Sequence, residues 1–152
     1  MKKPYDYLRN YLYGDAQVMQ LATSTLDGRP WVASVYFVVD DALNLYWLSW
    51  PERRHSQQLA DNPYAAATIV IKPDTPVAGI QVSGRVVLVQ DLEIVRGVMD
   101  RYVAKYQQGE EFVDRMTAQR NHHQLYMLQA DSYQLFDEMV FPATSPVHIK
   151  VL

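Results

Sequence analysis

Short runs of β-branched and aromatic residues, separated by polar turns only a few residues long, constrain the fold of this chain most strongly. The first run, Val18 to Thr23, is followed by the turn Leu26-Asp27-Gly28-Arg29-Pro30, in which Asp-Gly is a common hairpin sequence. The next run, Trp31 to Val39, ends at Asp40-Asp41, and Leu43 to Leu48 then returns. Such short turns predict antiparallel strands, because parallel strands need a long crossover connection.

The second half of the chain contains further strand-like runs. The loop Lys72-Pro73-Asp74-Thr75-Pro76 separates two of them, because its prolines cannot lie inside a strand ladder. Gly79 and Gly84 are expected to mark bulges or a close approach of two backbones, and Ala130-Asp131 is expected to join the last two strands. The strands predicted here are Tyr64 to Ile71, Val77 to Gln90, His123 to Gln129 and Ser132 to Phe136.

Two short helices are predicted among these strands. Residues Tyr5 to Tyr13, in an N-terminal segment 1–14, carry apolar side chains at helical spacing. In Ser49-Trp50-Pro51-Glu52 a serine is followed three residues later by a glutamate, which is typical of a capping box at a helix start. This second helix would run to about Ala60 and end at Asp61-Asn62-Pro63.

The longest predicted helix begins at Asp91, a residue type that often caps a helix N-terminus, and runs to about Tyr106. Gly109 interrupts the pattern, and Glu110 to Met116 is predicted to form one more helical segment. The long helix carries one stripe of apolar side chains that is expected to face the core, formed by Ile94, Val95, Val98, Met99, Tyr102, Val103 and Tyr106.

About seven strands in meander order, with helices only between and around them, predict a mainly antiparallel β fold: a barrel with peripheral α-helices. The 152 residues fit a single domain. The proline-punctuated C-terminal tail, residues 138–152, is expected either to fold over a neighbouring subunit or to fray.

The composition argues against several kinds of site and partner. The chain has no cysteine, which excludes disulfides and thiolate chemistry and is compatible with a reducing cytoplasm, the expected location. Its 14 basic and 17 acidic residues give a net charge of −3 with histidine neutral, so a global basic surface for nucleic acid is missing. We therefore expect no nucleic-acid partner. We also expect neither a membrane span nor a signal peptide, because the apolar runs are too short.

No motif for catalysis by side chains alone is visible. The chain lacks the glycine-rich nucleotide loops, the serine nucleophile elbow and the zinc-binding His-Glu pair. His122 and His123 are adjacent, so on a strand they would point to opposite faces, and we interpret them as surface or packing residues rather than metal ligands. Redox chemistry in this chain would therefore depend on a bound cofactor.

The most specific segment follows the strand that ends at Ser49. Arg54 offers a planar fork for bidentate contact with a phosphate, and His55 can donate a further hydrogen bond. Both residues lie at the start of a predicted helix, where free backbone N–H groups favour an anion. The alternative interpretation is that Glu52-Arg53-Arg54 is only a solvated surface turn.

This segment resembles the pyridoxamine 5′-phosphate oxidase-like family of FMN-binding split barrels. In that family a strand leads to a basic pair and then to a short helix ending L-x-x-[ED]-N-P, as in Leu59-Ala60-Asp61-Asn62-Pro63. Other stretches match the family pattern in the same order, and the similarity covers about residues 15 to 137. These stretches are Asp27-Gly28-Arg29-Pro30, Gln81-Val82-Ser83-Gly84-Arg85-Val86 and Tyr133-Gln134-Leu135-Phe136-Asp137.

The resemblance implies a split β-barrel that binds FMN and acts as an oxidoreductase, with the site shared between the two subunits of a homodimer. Arg54 and His55 would hold the phosphate, and the flavin ring would lie along the strand Trp31 to Val39. Trp31, Trp47 and Trp50 would stack on a ring system or fill the barrel core or an interface. The cofactor-binding residues implied in this way are Arg54, His55, Ser49, Leu48, Trp47, Ala33, Ser34 and Val35.

The chain departs from the true vitamin B6 oxidases at three places. His55 stands where the family has a lysine, and both the R-P-x-x-S-Q stretch and the C-terminal R-x-H of those enzymes are missing. The resemblance is therefore to a functionally unassigned branch of the family, and the substrate and electron donor stay open. Alternatives are the same fold binding a deazaflavin or haem, a flavin-binding protein without turnover, or a cofactor-free dimeric interaction module.

Overall fold

The computed structural model describes residues 1–118 and 122–151. Its helices are α1 (Pro4–Leu12), α2 (Arg54–Asp61), α3 (Leu92–Tyr106) and α4 (Glu110–Thr117). None of the helices in the described part of the chain is both long and apolar enough to cross a bilayer. The strands are β1 (Val18–Ser24), β2 (Pro30–Tyr36), β3 (Val38–Val39), β4 (Leu45–Ser49), β5 (Tyr64–Lys72), β6 (Ala78–Val89), β7 (Gln124–Asp137) and β8 (Val147–Lys150).

The strands form one antiparallel sheet in the order β2-β1-β5-β6-β7-β4-β3, and β8 pairs with β7. The two edge strands, β2 and β3, are consecutive in the chain and are separated only by Phe37. The sheet must therefore curl until its edges approach each other, which forms a barrel. Among the described strands no ladder joins β2 to β4, so the barrel is split along this line. The predicted mainly antiparallel split barrel with peripheral helices is confirmed.

Two apolar clusters hold the helices against the barrel. The barrel interior contains Leu8 and Leu12 of α1 together with Met19, Trp47 and Tyr133 from the strands. The second cluster lies outside the barrel, where α3 and α4 pack on β3, β4 and β7, and its buried members are Val38, Tyr46, Val95, Val98, Met99, Tyr102, Met116 and Leu125. Burial of this much apolar surface fixes the position of α3 beside the split.

The predicted hairpin turn at Gly28 and the predicted N-cap of α3 are both confirmed. Gly28 adopts φ +85° in the first turn, a conformation that favours glycine. The Asp91 carboxylate accepts hydrogen bonds from the backbone N–H groups of Glu93 and Ile94, as expected of an N-cap. The stripe of α3 is buried at Val95, Val98, Met99 and Tyr102, whereas Ile94 in the first turn is exposed.

The predicted capping box is wrong. Helix α2 begins at Arg54, and Ser49 is instead the last residue of β4. The Ser49 hydroxyl lies 2.7 Å from Nε2 of His55, and the Glu52 carboxylate lies 2.6 Å from Nε2 of His122, so neither side chain caps the helix. Tertiary partners have replaced the local hydrogen bonds that the spacing suggested.

Three parts of the chain also differ from the predicted strand pattern. The run from Trp31 to Val39 divides at Phe37, where the chain passes from one edge of the sheet to the other. Ala130-Asp131 forms no turn: β7 continues through it with a bulge, in which Gly84 pairs with Ala130 and Ser83 with Ser132. The C-terminal tail neither frays nor leaves the molecule over its described length, since Val147–Lys150 adds β8 to the edge of β7.

Candidate functional site

A cavity of about 1100 Å³ opens at the split in the barrel. Its walls come from β2, from the end of β4, from the first turn of α2 and from the C-terminal turn of α3. The hydroxyl of Tyr102 spans the split, lying 3.0 Å from the carbonyl oxygen of Tyr36 on β2 and 3.4 Å from that of Tyr46 on β4. The sheet curls into a barrel, but its described edge strands form no ladder of backbone hydrogen bonds with each other. The cavity lies in the gap that remains between them.

The first turn of α2 carries the strongest feature for binding an anion. The N-cap residue Arg53 makes no side-chain cap, so the first N–H groups of the helix have no side-chain partner there. Arg54 lines the cavity beside this turn, with its guanidinium carbon 4.1 Å above the ring of Trp31. A cation–π contact of this kind holds the planar fork over the cavity. The turn thus combines backbone donors, the positive end of the helix dipole and a fixed guanidinium.

His55 is buried behind Arg54 and faces Ser49 across the same wall. Its Nε2 atom lies 2.7 Å from the Ser49 hydroxyl. Burial lowers the pKa of the His55 imidazole, and the neighbouring Arg53 guanidinium lowers it further, so the ring is neutral at pH 7. A neutral His55 can donate a single hydrogen bond to a ligand but adds no fixed charge.

The C-terminal turn of α3 supplies the opposite wall. Nζ of Lys105 donates to the carbonyl oxygen of Phe37 at 2.9 Å, and it lies 3.8 Å from the Phe37 ring centroid. The Tyr106 hydroxyl lies 2.5 Å from the same carbonyl oxygen and accepts from the Phe37 N–H at 3.0 Å. These contacts satisfy the backbone N–H and C=O groups of Phe37, the residue that links the edge strands β2 and β3.

A cluster of aromatic rings and imidazoles forms the rim of the cavity near β7. The Trp50 ring meets His122 and His123 edge-on, with centroids 5.6 and 5.7 Å apart. Burial lowers the pKa of His123, whereas the hydrogen bond from His122 lowers the pKa of Glu52. Residues 1–118 and 122–151 contain no group of three or more histidine or acidic side chains placed to hold a metal ion.

The structure brings seven of the eight predicted site residues to this cavity: Arg54, His55, Ser49, Leu48, Ala33, Ser34 and Val35. Trp47 is the exception, because alternation along β4 turns its side chain into the barrel core, where it is fully buried and stacks on Tyr126 at 5.6 Å. Trp31 and Trp50 do line the cavity.

Sequence reasoning missed the contribution of α3. The apolar spacing indicates Tyr102 and Tyr106 only as core residues, and no recognised motif marks Lys105 or Gln17. Their position depends on how α3 packs across the split, which no local pattern encodes. A cation within an otherwise apolar helix face that ends at a glycine-containing loop was the only available hint.

Comparison with known structures places the fold among split barrels. A conserved hypothetical protein of Mycobacterium tuberculosis, Rv2991, matches with a TM-score of 0.76 and 14% identity, over 95% of this chain and 90% of that one. The haem storage protein HutZ of Vibrio cholerae matches with a TM-score of 0.68 and 20% identity, over 90% and 95% of the two chains. At these identities the likeness shows the fold alone.

A third match is PhzG of Burkholderia lata, solved with tetrahydrophenazine-1-carboxylic acid, with a TM-score of 0.63 and 15% identity over 97% of this chain and 84% of that one. No curated protein matches the sequence. The sequence model of the pyridoxamine 5′-phosphate oxidase family matches residues 10–129, which is most of the chain. The chain therefore belongs to the pyridoxamine 5′-phosphate oxidase family, as the basic pair and its flanking strands predicted.

Proposed function

We propose that the protein binds FMN in the cavity at the barrel split and acts as an FMN-dependent oxidoreductase. The observation that carries this proposal is Arg54, held over Trp31 beside the uncapped first turn of α2. This arrangement is suited to a terminal phosphate, which needs several convergent donors. The aromatic walls next to it are suited to a flat ring system.

The donor set of the cavity agrees with an anionic cofactor. Its described lining includes Arg53, Arg54 and Lys105 but no aspartate or glutamate, although the whole chain has a net charge of −3. Cations have thus been concentrated in one concave place on an acidic protein, which raises the local concentration of an anion. This is chemistry that FMN fits and that a neutral ligand does not require.

Each part of the cavity has a separate role in this proposal. Arg54 and the N–H groups of α2 bind the phosphate, and His55 donates one hydrogen bond from a position fixed by Ser49. Ala33, Ser34 and Val35 lie on an edge strand, where alternate backbone groups point away from β1 and are available to the polar edge of a ring. Bound FMN would supply hydride or electron transfer, and the protein would orient it and exclude water.

Two copies of the chain are proposed to share the site. The outer face of the barrel carries a row of exposed small side chains across four neighbouring strands: Val32, Ala22, Ala66 and Ser83. This row carries no charge and continues to the β2 edge, so it is suited to a second copy of the same row. A neighbouring subunit at this edge would also cover the half-exposed Trp31.

The experiment that tests the cofactor is titration of the purified protein with FMN, followed by gel filtration and an absorption spectrum. Replacement of Arg54 by alanine should weaken FMN binding about tenfold to a hundredfold, the equivalent of losing a charged hydrogen bond of about 1.5 to 3 kcal/mol. Arg85→Ala is the matched control, since Arg85 is exposed on β6 outside the cavity. Equal FMN affinity in the two variants would contradict the phosphate assignment.

Haem is the second candidate, and one observation favours it. His55 and His123 both line the cavity, and imidazole is a common haem ligand. His123 lies at the rim beside Trp50, and its replacement leaves the contact between Ser49 and His55 intact. The test is titration with hemin, in which binding is read from a change in the Soret band for wild type and for His123→Ala. A change in wild type that is lost in His123→Ala supports haem. A protein that binds FMN or a deazaflavin instead would leave the Soret band of hemin unchanged.

A further inference from the structure

A second cationic group lies at the end of the cavity away from Arg54. Arg54 stands over Trp31 near the start of β2, whereas Lys105 stands over Phe37 just after its end. Six residues of extended chain, at about 3.3 Å each, place the Cα atoms of Trp31 and Phe37 about 20 Å apart. A single phosphate cannot contact both cations, so Arg54 and Lys105 serve different anionic groups.

Lys105 retains hydrogen-bonding capacity in the cavity wall. An ammonium group has three donors, and the carbonyl oxygen of Phe37 takes one of them. Within residues 1–118 and 122–151, no carboxylate lies within ion-pair distance of its Nζ. Burial lowers the pKa of Lys105 to about 8, which is the effect of holding a charge in a partly dry place without a counter-ion.

The fold does not depend on Lys105 for this backbone contact. The Tyr106 hydroxyl also lies within hydrogen-bond distance of the Phe37 carbonyl oxygen, at 2.5 Å, and of the Gln17 carbonyl oxygen, at 2.7 Å, so its one proton can serve Phe37 when the lysine is removed. A purely structural role would therefore be served by Tyr106 alone, and a partly buried lysine would only cost desolvation free energy. Its presence is better explained by an anion that enters the cavity.

The surroundings of Lys105 indicate what carries that anion. The ring centroids of Tyr36 and Tyr106 are 5.3 Å apart, and those of Tyr102 and Phe112 are 6.3 Å apart. Tyr36 is 60% exposed although it lines the cavity, so part of its side chain is accessible to a ligand. Aromatic walls of this kind favour a planar, largely apolar partner.

We propose that this end of the cavity binds the carboxylate of a planar aromatic substrate, with Lys105 as the residue that pairs with the carboxylate. A single ammonium matches the one charge of a carboxylate, whereas a phosphate would require the wider set of donors found at Arg54. The inference rests on the proposed function, because only a bound flavin makes this occupant a substrate. Lys105 is thereby a specificity-determining residue.

The test compares two probes of nearly equal shape, 2-naphthoate and 2-naphthamide, by calorimetric titration of the FMN-loaded protein. Naphthoate should bind at least tenfold more tightly than the neutral amide. Lys105→Met should remove this preference by weakening naphthoate alone, and Lys105→Arg should restore most of it. Lys150→Met, on the exposed strand β8, should behave as wild type. Thermal unfolding of each variant shows whether it is folded.

The outcomes separate this inference from the proposed function. If FMN is retained but naphthoate and naphthamide bind equally, or if Lys105→Met leaves naphthoate binding unchanged, the inference is wrong and the cofactor assignment stands. If FMN is not retained but naphthoate binding to the unloaded protein still depends on Lys105, the anion site is supported and the flavin proposal fails.

Discussion

His55 is a single side chain that makes the stability of the folded protein depend on the pH of the solution. Its ring is buried, contacts the Ser49 hydroxyl and lies near the Arg53 guanidinium. Burial and the nearby guanidinium both disfavour the imidazolium form. The folded protein therefore holds His55 neutral at pH values where the unfolded chain already binds a proton.

This difference predicts a loss of stability in mild acid. The pKa of His55 in the folded state is below the value of 6.5 for a free side chain, so the unfolded state binds more protons as the pH falls below about 6.5. The free energy of unfolding should then decrease, by at most about 1.4 kcal/mol per pH unit from this residue. Chemical unfolding of wild type and His55→Gln, from about pH 7.5 down to about pH 5, measures it.

The glutamine variant should lose part of the pH dependence while keeping a side chain that can reach Ser49. Wild type retains a further contribution from His123, whose pKa is also lowered by burial, so only the difference between the two proteins is assigned to His55. Identical slopes for the two proteins would show that His55 titrates normally.

At the scale of elements, the bulge between β6 and β7 lets β7 continue as one long strand. β7 runs through Ala130 and Asp131 without a turn because one extra residue is accommodated opposite Ser83 and Gly84. A Cβ atom on Gly84 would lie 1.9 Å from the carbonyl oxygen of Gln129, which is closer than any real contact. The two long strands can therefore approach only where this position has no side chain.

Replacing Gly84 by alanine should destabilise the protein by about 3 kcal/mol or more, since backbone must move to relieve the contact. Gly97→Ala provides the matched control. Gly97 lies in α3, and a Cβ atom at this position would meet no neighbouring atom within 4 Å, so alanine there should stabilise the helix by about 0.5 to 1 kcal/mol. Equilibrium unfolding in urea measures both changes, and a neutral Gly84→Ala would show that the two strands separate easily.

For the whole molecule, the exposed outer face of the sheet leads to a prediction about association. Val32 is 60% exposed in the row of small residues that we propose as the contact between two copies. Glutamate at this position would place two like charges near each other in a symmetric interface, where they would be desolvated without partners. Val32→Glu should therefore convert a dimer to a monomer and weaken FMN binding.

Sedimentation of wild type and Val32→Glu at several concentrations measures this effect. Met139→Glu is the control, because Met139 is 68% exposed but lies in the C-terminal turn and not on that row. A dimer that survives Val32→Glu, or that dissociates equally with Met139→Glu, would move the interface to another surface.

The antiparallel strands, the long capped helix α3 and the basic pair beside α2 could be predicted from the sequence, because alternation, turn residues and caps are local properties of the chain. The sequence also determined membership of the family, since the order and spacing of these segments follow the family pattern. The predictions that failed were those in which a distant partner outweighed a local signal: Ser49 and Glu52 bind His55 and His122 rather than a helix end.

The side chains that meet at the split are brought together by tertiary packing. Lys105 and Tyr106 are separated from Phe37 by nearly seventy residues, and they reach its backbone because apolar burial places α3 against β3 and β4. Trp47 lies outside the cavity because alternation along β4 turns its ring into the barrel core. Apolar burial acts between segments far apart in the chain, so no local pattern could specify the second cationic end of the cavity.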